Sequence, residues 1–297
     1  MSKRVLITGS EGFTGRYVTD EFLRAGWEVW SAGLQPKPEQ PQYLQIDLLK
    51  PESLQPIATK IQPDVVIHLA AMAFVAEDDA NRFYQVNLIG TRNLLEVLSA
   101  AKRPPECTIV ASSANVYGNS TLEVLSEDSP TNPANDYAVS KLAMEYLAKT
   151  YMDRLGIVIT RPFNYTGVGQ SSRFLIPKIV EHFKARAPVI ELGNIDVARD
   201  FSDVRDTAHL YRLLAEKQPR GEVVNLCSGR PVALSHCISL AADLCGHSLD
   251  ISINSALIRT NEVKTLRGER GKLESLIETP SARDFQETLS WMLSSRT

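Results

Sequence analysis

Tyr137 and Lys141 are the residues of this 297-residue sequence whose types and spacing most clearly allow chemistry. They open a helical pattern that runs to Leu155, and residues four apart on a helix share one face. An ammonium beside a phenol favours the phenolate, so we expect the pKa of Tyr137 to lie below its usual value of about 10. Such a residue could exchange a proton with a substrate hydroxyl near neutral pH. Taken alone, this spacing arises often by chance and favours an ordinary helix surface.

The elements that would position this pair begin with a strand, a glycine-rich turn and a helix. Residues 5–8 form the short apolar run of a buried parallel strand. Gly9, Gly12 and Gly15 follow, with Phe13 among them. Glycines let the backbone turn tightly and approach a pyrophosphate, which the helix N-terminus then binds. In this context the G-x-x-G-x-x-G spacing predicts a dinucleotide site, and a ligand-free glycine turn is the alternative.

Cofactor choice depends on the strands that follow. The second strand ends in Ser-Ala-Gly-Leu, where an acidic residue would bind ribose hydroxyls and an Arg would bind a 2′-phosphate. Lys37 is the nearest cation, so the choice between NAD and NADP stays open. Asp47, with Leu48 after it, could accept a hydrogen bond from an adenine amino group, or it could cap the helix before Pro51.

A further strand at residues 65–69 and the helical pattern after it complete the predicted cofactor cleft. Leu69, Ala70 and Ala71 end this strand, and small residues there would let a cofactor lie against the backbone. Asn87 lies within the helical pattern at residues 82–101, where a core residue would normally be apolar. We therefore expect Asn87 to act in packing or polar bridging near the cofactor.

Ser113 follows a strand at residues 107–112. A hydroxyl at the carboxyl end of a parallel strand faces the ligand crevice, so Ser113 could hydrogen-bond the oxygen that Tyr137 protonates. A lone serine at such a position is more often a simple cap. The alternation of strands and helices up to residue 160 predicts an α/β fold of the doubly wound, Rossmann-like kind.

Three motifs in this order resemble the extended short-chain dehydrogenase/reductases, and more narrowly their nucleotide-sugar epimerase/dehydratase group. They are the Thr-Gly-Ser-Glu-Gly-Phe-Thr-Gly loop, the Ser-x-x-Val-Tyr-Gly turn at Ser113 and the Tyr-x-x-x-Lys pair. The resemblance implies a catalytic triad of Ser113, Tyr137 and Lys141, with Tyr137 as proton donor or acceptor. It also implies that the three glycines hold the pyrophosphate of NAD(P)H and that Lys141 holds its nicotinamide ribose.

The second half of the chain resembles enzymes of this group that act on GDP-sugars. Residues 161–170 are similar to their Pro-Phe-Asn-His-Thr-Gly-Pro-Gly-Gln stretch, but Tyr165 and Val168 depart from it. The resemblance implies that Asn164 contacts the substrate, although a turn rich in Gly and Asn is the alternative. It also implies that Arg199 contacts the nucleotide. Lys178 is a weaker phosphate candidate.

A segment at residues 257–263 resembles the group's Arg-Pro-x-Glu-Val motif, with Thr260 in place of Pro. The resemblance implies that Arg259 binds the diphosphate and Glu262 a ribose hydroxyl pair, and an exposed ion pair is the alternative. Asp203 and Asp206 open a helix, where carboxylates favour the positive end of the helix dipole. We expect these two residues to act as caps.

The turn that contains Ser113 reduces the number of reactions to consider. Dehydratases of this group carry an acidic pair where this chain has Ala114 and Asn115, neither of which can do acid/base work. A 4-keto reductase or a 4-epimerase remains. The resemblance favours reduction of GDP-4-dehydro-6-deoxy-D-mannose to GDP-D-rhamnose with NADH or NADPH. The alternatives are a 4-epimerase with tightly bound NAD and a non-catalytic regulator that senses nicotinamide.

The totals of the sequence exclude several other classes. A net charge of −3 gives no reason to expect nucleic acid or a membrane surface as partner. Four cysteines without a Cys-x-x-Cys pair predict no metal site and fit a reducing compartment, so we expect a cytoplasmic protein. The chain shows no signal-peptide pattern and no apolar run of the roughly 20 residues that a membrane helix needs.

We expect two domains with the site between them. Residues 1–163 and 201–227 would form the dinucleotide-binding domain, and residues 164–200 and 228–297 a smaller, discontinuous sugar-nucleotide domain. The resemblance also implies a homodimer formed by the helices at 82–101 and 137–155. From their pattern, those helices could equally bury their apolar faces internally.

Overall fold

The fold is built around a parallel sheet, seen in a computed structural model that describes residues 2–73, 79–257 and 263–295. The strands are β1 (Arg4–Thr8), β2 (Glu28–Gly33), β3 (Tyr43–Gln45), β4 (Val65–His68), β5 (Cys107–Ala111), β6 (Ile157–Pro162), β7 (Asn164–Thr166), β8 (Val189–Leu192), β9 (Ala198–Asp203), β10 (Val223–Leu226), β11 (Pro231–Ala233), β12 (Asp250–Ile253) and β13 (Thr265–Leu266). The main sheet has the order β10-β6-β5-β4-β1-β2-β3, with every neighbouring pair parallel.

Helices cover both faces of this sheet. They are α1 (Phe13–Arg24), α2 (Pro51–Pro56), α3 (Asn81–Phe83), α4 (Thr91–Ser99), α5 (Asp136–Lys149), α6 (Leu175–Lys184), α7 (Val204–Lys217), α8 (Leu234–Cys245), α9 (Gly271–Leu276) and α10 (Phe285–Ser294). Successive strand residues point to opposite faces, so Val5 packs in the core beneath α1 and α7 while Leu6 packs in the core beneath α4 and α5. The prediction of a doubly wound α/β fold is confirmed.

Two predicted helices have different bounds in the structure. The pattern at 137–155 gives α5, which ends at Lys149 before a series of turns. The pattern at 82–101 is divided into α3, a π-helical segment at Tyr84–Gly90, and α4. Apolar periodicity does not distinguish a π turn from an α turn over so few residues, so the sequence pattern did not reveal this division.

Smaller sheets and a third core lie in the second half of the chain. β9 pairs with β7, β11 and β13, and β8 pairs with β12. The third core contains Ile179, Phe183 and Ile238. β9 runs across the boundary expected at residues 200 and 201, and Leu273 of α9 packs into the core beneath α1 and α7. The division of the chain into two domains stays a prediction.

Two negative findings apply to the described ranges. No helix there combines the length and the apolar character needed to cross a lipid bilayer. The same residues contain no cluster of three or more His, Cys, Asp or Glu side chains that could hold a metal ion.

Candidate active site

The glycine turn between β1 and α1 is tightly packed against β4. Gly9 has a φ of +69°, which L side chains rarely adopt, and a Cβ there would lie 2.7 Å from the backbone nitrogen of Ala70. A Cβ at Gly15 would collide with the carbonyl oxygen of Gly9. Gly12 caps α1 without a side-chain hydrogen bond, and the first turn of the helix carries no acidic residue. The free N–H groups of this helix terminus fit the pyrophosphate of a dinucleotide.

The carboxyl end of β4 forms the floor beside this turn. His68 is buried between two hydroxyls, with 2.7 Å from Nδ1 to Thr8 Oγ1 and 2.9 Å from Nε2 to Thr91 Oγ1. Burial, together with the smaller effect of the Lys141 charge, lowers the pKa of His68 to about 3, so the imidazole is neutral. The Ala70 N–H donates to Thr8 Oγ1 at 3.3 Å. The residues that the sequence predicted here, Leu69, Ala70 and Ala71, are partly buried.

Asn87 bridges this floor to α5. Its Oδ1 accepts a hydrogen bond from the Met72 N–H at 2.8 Å, and its Nδ2 donates to the Met72 carbonyl at 3.1 Å and to Ser140 Oγ at 3.0 Å. Every polar atom of the buried amide has a partner. The side chain therefore holds the loop after β4 against the helix that carries Tyr137.

Ser113 and Tyr137 meet beyond the carboxyl end of β5. The Ser113 hydroxyl lies near enough to the Tyr137 phenol to lower the pKa of that phenol, and it accepts a hydrogen bond from the Asn115 N–H at 3.1 Å. Asn135 fixes the start of α5, because its Oδ1 accepts from the Ala138 N–H at 2.9 Å. Ser113 therefore acts as a cap, and its hydrogen bond to the oxygen that Tyr137 would protonate stays a prediction.

Lys141 lies one turn further along α5 and is 4% exposed. Its Nζ donates to the Ala111 carbonyl oxygen at 2.7 Å. Burial lowers the pKa of Lys141 to about 8, and the nearby Glu145 carboxylate opposes that shift. Burial raises the pKa of Tyr137 to about 12, against the effect of the nearby Ser113 hydroxyl. The expected fall in the Tyr137 pKa is therefore wrong, because the buried phenol loses more from desolvation than its neighbours restore.

A buried ion pair, which the sequence analysis missed, lies one turn beyond Lys141. The carboxylate of Glu145 accepts hydrogen bonds from Arg161 Nε at 2.9 Å, Arg161 Nη2 at 2.7 Å and Ser112 Oγ at 2.5 Å. Arg161 also donates to the Tyr117 hydroxyl at 3.1 Å. This network ties α5 to the ends of β5 and β6. The signal in the sequence was an Arg inside the apolar run of β6.

Tyr165 of β7 contacts the glycine turn and the start of α1. Its hydroxyl lies 2.7 Å from Thr14 Oγ1, and its ring stacks on Phe13 with centroids 6.1 Å apart. It is also close enough to Tyr137 to raise that residue's pKa. In the sequence, Tyr165 was noted only as a departure from the GDP-sugar motif.

Asp47 and Leu48 occupy the turn that leads into α2. Asp47 Oδ1 accepts from the Leu49 N–H at 3.0 Å, and Oδ2 lies 3.7 Å from Lys50 Nζ. Leu48 is buried against Gly90. A Cβ added at Gly90 would lie 2.8 Å from the Cβ of Leu48. The Asp47 side chain thus stabilises the turn before Pro51 but does not cap α2, whose N-cap is Lys50 and has no side-chain hydrogen bond, so the capping alternative is wrong.

The substrate candidates are more scattered. Asn164 is exposed at the start of β7. Lys178 Nζ donates to the Glu191 carbonyl at 2.6 Å, and Arg199 Nη1 donates to the Ala198 carbonyl at 2.9 Å. The structure brings Ser113, Tyr137 and Lys141 together, while these three residues lie on β7, α6 and β9.

Four further residues complete the predicted set. Asp203 caps α7 by accepting from the Arg205 N–H at 2.8 Å, as expected. Asp206 does not cap α7 as expected, because its carboxylate instead accepts from the Arg283 backbone N–H at 2.7 Å and pairs with the Arg283 guanidinium. Arg259 and Glu262 lie outside the described residues.

Comparison with known proteins identifies relatives along nearly the whole chain. A family model, the NAD dependent epimerase/dehydratase family, matches residues 5–227. GDP-6-deoxy-D-talose 4-dehydrogenase from Aggregatibacter actinomycetemcomitans is 32% identical over 92% of this chain and 91% of its own. GDP-6-deoxy-D-mannose reductase from Pseudomonas aeruginosa is 35% identical over 92% of this chain and 90% of its own. The solved structure of RMD from Pseudomonas aeruginosa complexed with NADPH is 31% identical, with a TM-score of 0.85. The match covers 99% of this chain and 98% of that one.

Proposed function

The chain belongs to the NAD-dependent epimerase/dehydratase family, and we propose that it reduces the C4 keto group of GDP-4-dehydro-6-deoxy-D-mannose to give GDP-D-rhamnose. The resemblance seen in the motifs is confirmed at the level of the family. The names of the two relatives support a GDP-linked 6-deoxyhexose as substrate. The observation that carries the proposal is the proximity of Ser113 to Tyr137, together with the absence of acidic side chains from residues 112–118.

NADH or NADPH is the proposed cofactor. The reduced nicotinamide supplies, when bound, the hydride that a carbonyl carbon must accept. Gly9, Gly12 and Gly15 with Phe13 would line the pyrophosphate, because a Cβ at two of these glycines would collide with backbone. Asp47 and Leu48, the strand end at residues 69–71, Asn87, Tyr137 and Lys141 are proposed to complete the cofactor site.

Tyr137 acts in this proposal as the acid that protonates the developing C4 alkoxide. With a pKa of about 12 it carries its proton at neutral pH, which is the form that a proton donor needs. Ser113 donates a hydrogen bond to the same oxygen and stabilises the charge that develops there. Lys141 anchors the nicotinamide ribose. Its bond to the Ala111 carbonyl holds the ammonium at the end of β5, beside the triad.

Binding of the nucleotide would hold C4 in place for the reaction. Asn164 is proposed to contact the sugar, and Arg199 with Lys178 the nucleotide and its phosphates. Arg259 and Glu262 are proposed to bind the diphosphate and a ribose. Such remote contacts raise the rate because they convert binding energy into correct orientation of the reacting carbonyl.

Replacement of Tyr137 by Phe tests this mechanism. We expect Tyr137→Phe to lower kcat for GDP-4-dehydro-6-deoxy-D-mannose by about 10²-fold or more, because the proton donor is lost. Cofactor affinity, measured by nicotinamide fluorescence, should change far less than kcat, because the glycine turn and Lys141 remain to hold the cofactor. Tyr146→Phe is the matched control, since Tyr146 is a 62% exposed tyrosine on the same helix. Near-normal turnover by Tyr137→Phe would exclude Tyr137 as the acid.

Product stereochemistry separates the proposal from its nearest competitor. Reduction of the same keto sugar from the opposite face gives GDP-6-deoxy-D-talose, and the relative from Aggregatibacter actinomycetemcomitans, a GDP-6-deoxy-D-talose 4-dehydrogenase, favours that second candidate. The coupling constants of H4 in a proton NMR spectrum distinguish the two sugars. Interconversion of nucleotide hexoses without net oxidation, with reduced cofactor retained on the protein, would instead identify a 4-epimerase. Cofactor binding without turnover of any sugar nucleotide would identify a regulator.

A further inference from the structure

Glu11 places a carboxylate where the second strand of the sheet ends. It belongs to the glycine turn, yet a Cβ built at Gly33, the last residue of β2, would overlap the Glu11 carboxylate. The same Cβ would lie 2.6 Å from the Tyr43 hydroxyl. The space that a side chain at position 33 would fill is thus taken by Glu11 and Tyr43.

In doubly wound folds, the residue at the end of the second strand usually determines whether NAD or NADP binds. An acidic side chain at the end of the second strand binds the hydroxyls of the adenosine ribose, whereas an Arg there accommodates a 2′-phosphate. Residues 31–34 of this chain supply neither type of side chain. The structure shows that a carboxylate still reaches this end of the sheet, from a different part of the backbone.

The contacts of Glu11 hold the carboxylate in place. Lys37 Nζ lies 2.8 Å from Oε1, and the Tyr43 hydroxyl donates to Oε2 at 3.0 Å. The hydrogen bond to Lys37 is the main reason that the pKa of Glu11 lies below its usual value, so the group is anionic at neutral pH. The single phenol proton of Tyr43 is shared between this carboxylate and the Gln35 carbonyl oxygen, which lies 2.7 Å from the hydroxyl.

Two nearby cationic side chains, Lys37 and Arg16, already bond to Glu11. Lys37 pairs with its carboxylate, and Arg16 Nε donates to its backbone carbonyl at 3.0 Å. A 2′-phosphate at this strand end would meet the Glu11 charge and would have to draw Lys37 away from it. A free 2′-hydroxyl could instead donate a hydrogen bond to the carboxylate, which retains lone pairs beyond those used by Lys37 and Tyr43.

We propose that Glu11 is the residue that selects NAD(H) over NADP(H) in this chain, by accepting a hydrogen bond from the ribose and repelling a 2′-phosphate. This inference rests on the proposed use of a nicotinamide dinucleotide. It sets the chain apart from the similar structure of RMD, which was solved with NADPH. It would also decide between NAD and NADP, which the residues at the end of β2 do not decide from the sequence.

Direct binding tests the inference without any sugar substrate. The dissociation constants of NADH and NADPH are measured by fluorescence titration for the unmodified chain, Glu11→Gln, Lys37→Gln and Glu39→Gln. The unmodified chain should bind NADH at least about tenfold more tightly than NADPH. Glu11→Gln should shift the ratio of the two constants by at least about tenfold towards NADPH, since it removes the repelling charge and keeps the shape. Glu39→Gln removes an equal charge from an exposed residue nearby and should leave the ratio unchanged.

Three results would overturn the inference. One is tighter binding of NADPH by the unmodified chain, together with a selective loss of NADPH affinity in Lys37→Gln, which would assign Lys37 to the phosphate. Another is an equal shift in Glu11→Gln and Glu39→Gln, which would show a general charge effect. The third, no binding of either cofactor, would reject the proposed function as well. A preference for NADH that depends on Glu11, without turnover of the keto sugar, would support Glu11 and reject only the proposed reaction.

Discussion

Lys141 shows how a single residue acquires properties that its type does not predict. A lysine on a helix surface is charged at any physiological pH, but here the ammonium is almost wholly enclosed and is bonded to one carbonyl. Burial lowers its pKa to about 8 and raises that of Tyr137 to about 12. The pair therefore consists of a phenol that keeps its proton and an ammonium that is close to losing its own.

This pair predicts an alkaline limit to activity. Because the folded-state pKa of Lys141 is about 8, the charged form is lost as pH rises through that value. We expect kcat/KM to fall about tenfold per pH unit above pH 8, if the charge is needed to hold the ribose and assist Tyr137. Rates measured from pH 6 to 10, with circular dichroism at each pH, would show this. A profile that stays flat to pH 9.5 would contradict a requirement for the Lys141 charge.

The lowered pKa of Lys141 also determines how this residue changes the stability of the fold with pH. The unfolded chain holds the Lys141 proton more tightly than the folded chain, since the folded pKa of about 8 lies below the ordinary 10.5. Protonation thus opposes folding below pH 8, and the penalty from this residue disappears as pH rises from 8 to 10.5. The charge is retained at neutral pH at a cost to stability, which is common for groups that serve a site.

At the scale of elements, the start of α5 decides where Tyr137 stands. Asn135 caps the helix two residues before Tyr137 and satisfies a backbone N–H of the first turn. Phe83 meets the Tyr137 ring edge-on, with centroids 5.9 Å apart, and so supports the same turn. Asn is a preferred N-cap residue, but the sequence analysis did not assign this role to Asn135.

Removal of this cap should affect activity more than a comparable change elsewhere. We expect Asn135→Ala to lower the free energy of unfolding by about 1 kcal/mol and to lower kcat, because the first turn of α5 frays. Asn135→Ser retains an acceptor and should restore both values. Asp284→Ala removes the equivalent cap of α10, in the third core, and should lower stability without a matching loss of kcat. Equal losses of kcat in the two Ala variants would argue against a specific role for the α5 cap.

At the scale of the whole molecule, one outer surface remains apolar. On α5, Val139 is 38% exposed and Tyr146 is 62% exposed, seven residues apart on one side of the helix. Ile89 of the neighbouring π-helical segment is 41% exposed. The homodimer expected from the family resemblance would cover these side chains, and it stays a prediction.

A charge on this surface tests the dimer. We expect the unmodified chain to sediment as a dimer and Tyr146→Glu to sediment as a monomer, since the carboxylate would be buried without a partner. Leu23→Glu is the matched control, because Leu23 is 52% exposed on α1, which covers the opposite face of the sheet. Analytical ultracentrifugation gives the masses. A monomeric unmodified chain, or dissociation by Leu23→Glu alone, would contradict this interface.

The sequence by itself determined the fold class, the glycine turn and the three residues that meet beyond β5. Those features depend on local patterns: apolar runs, glycine spacing and the four-residue repeat of a helix. Tertiary structure alone decided the direction of the Tyr137 pKa shift, the Glu145–Arg161 pair and the position of the Glu11 carboxylate over Gly33. Desolvation and ion pairing depend on every neighbour in space, and residues 22 apart in the chain share a site only after the sheet has formed.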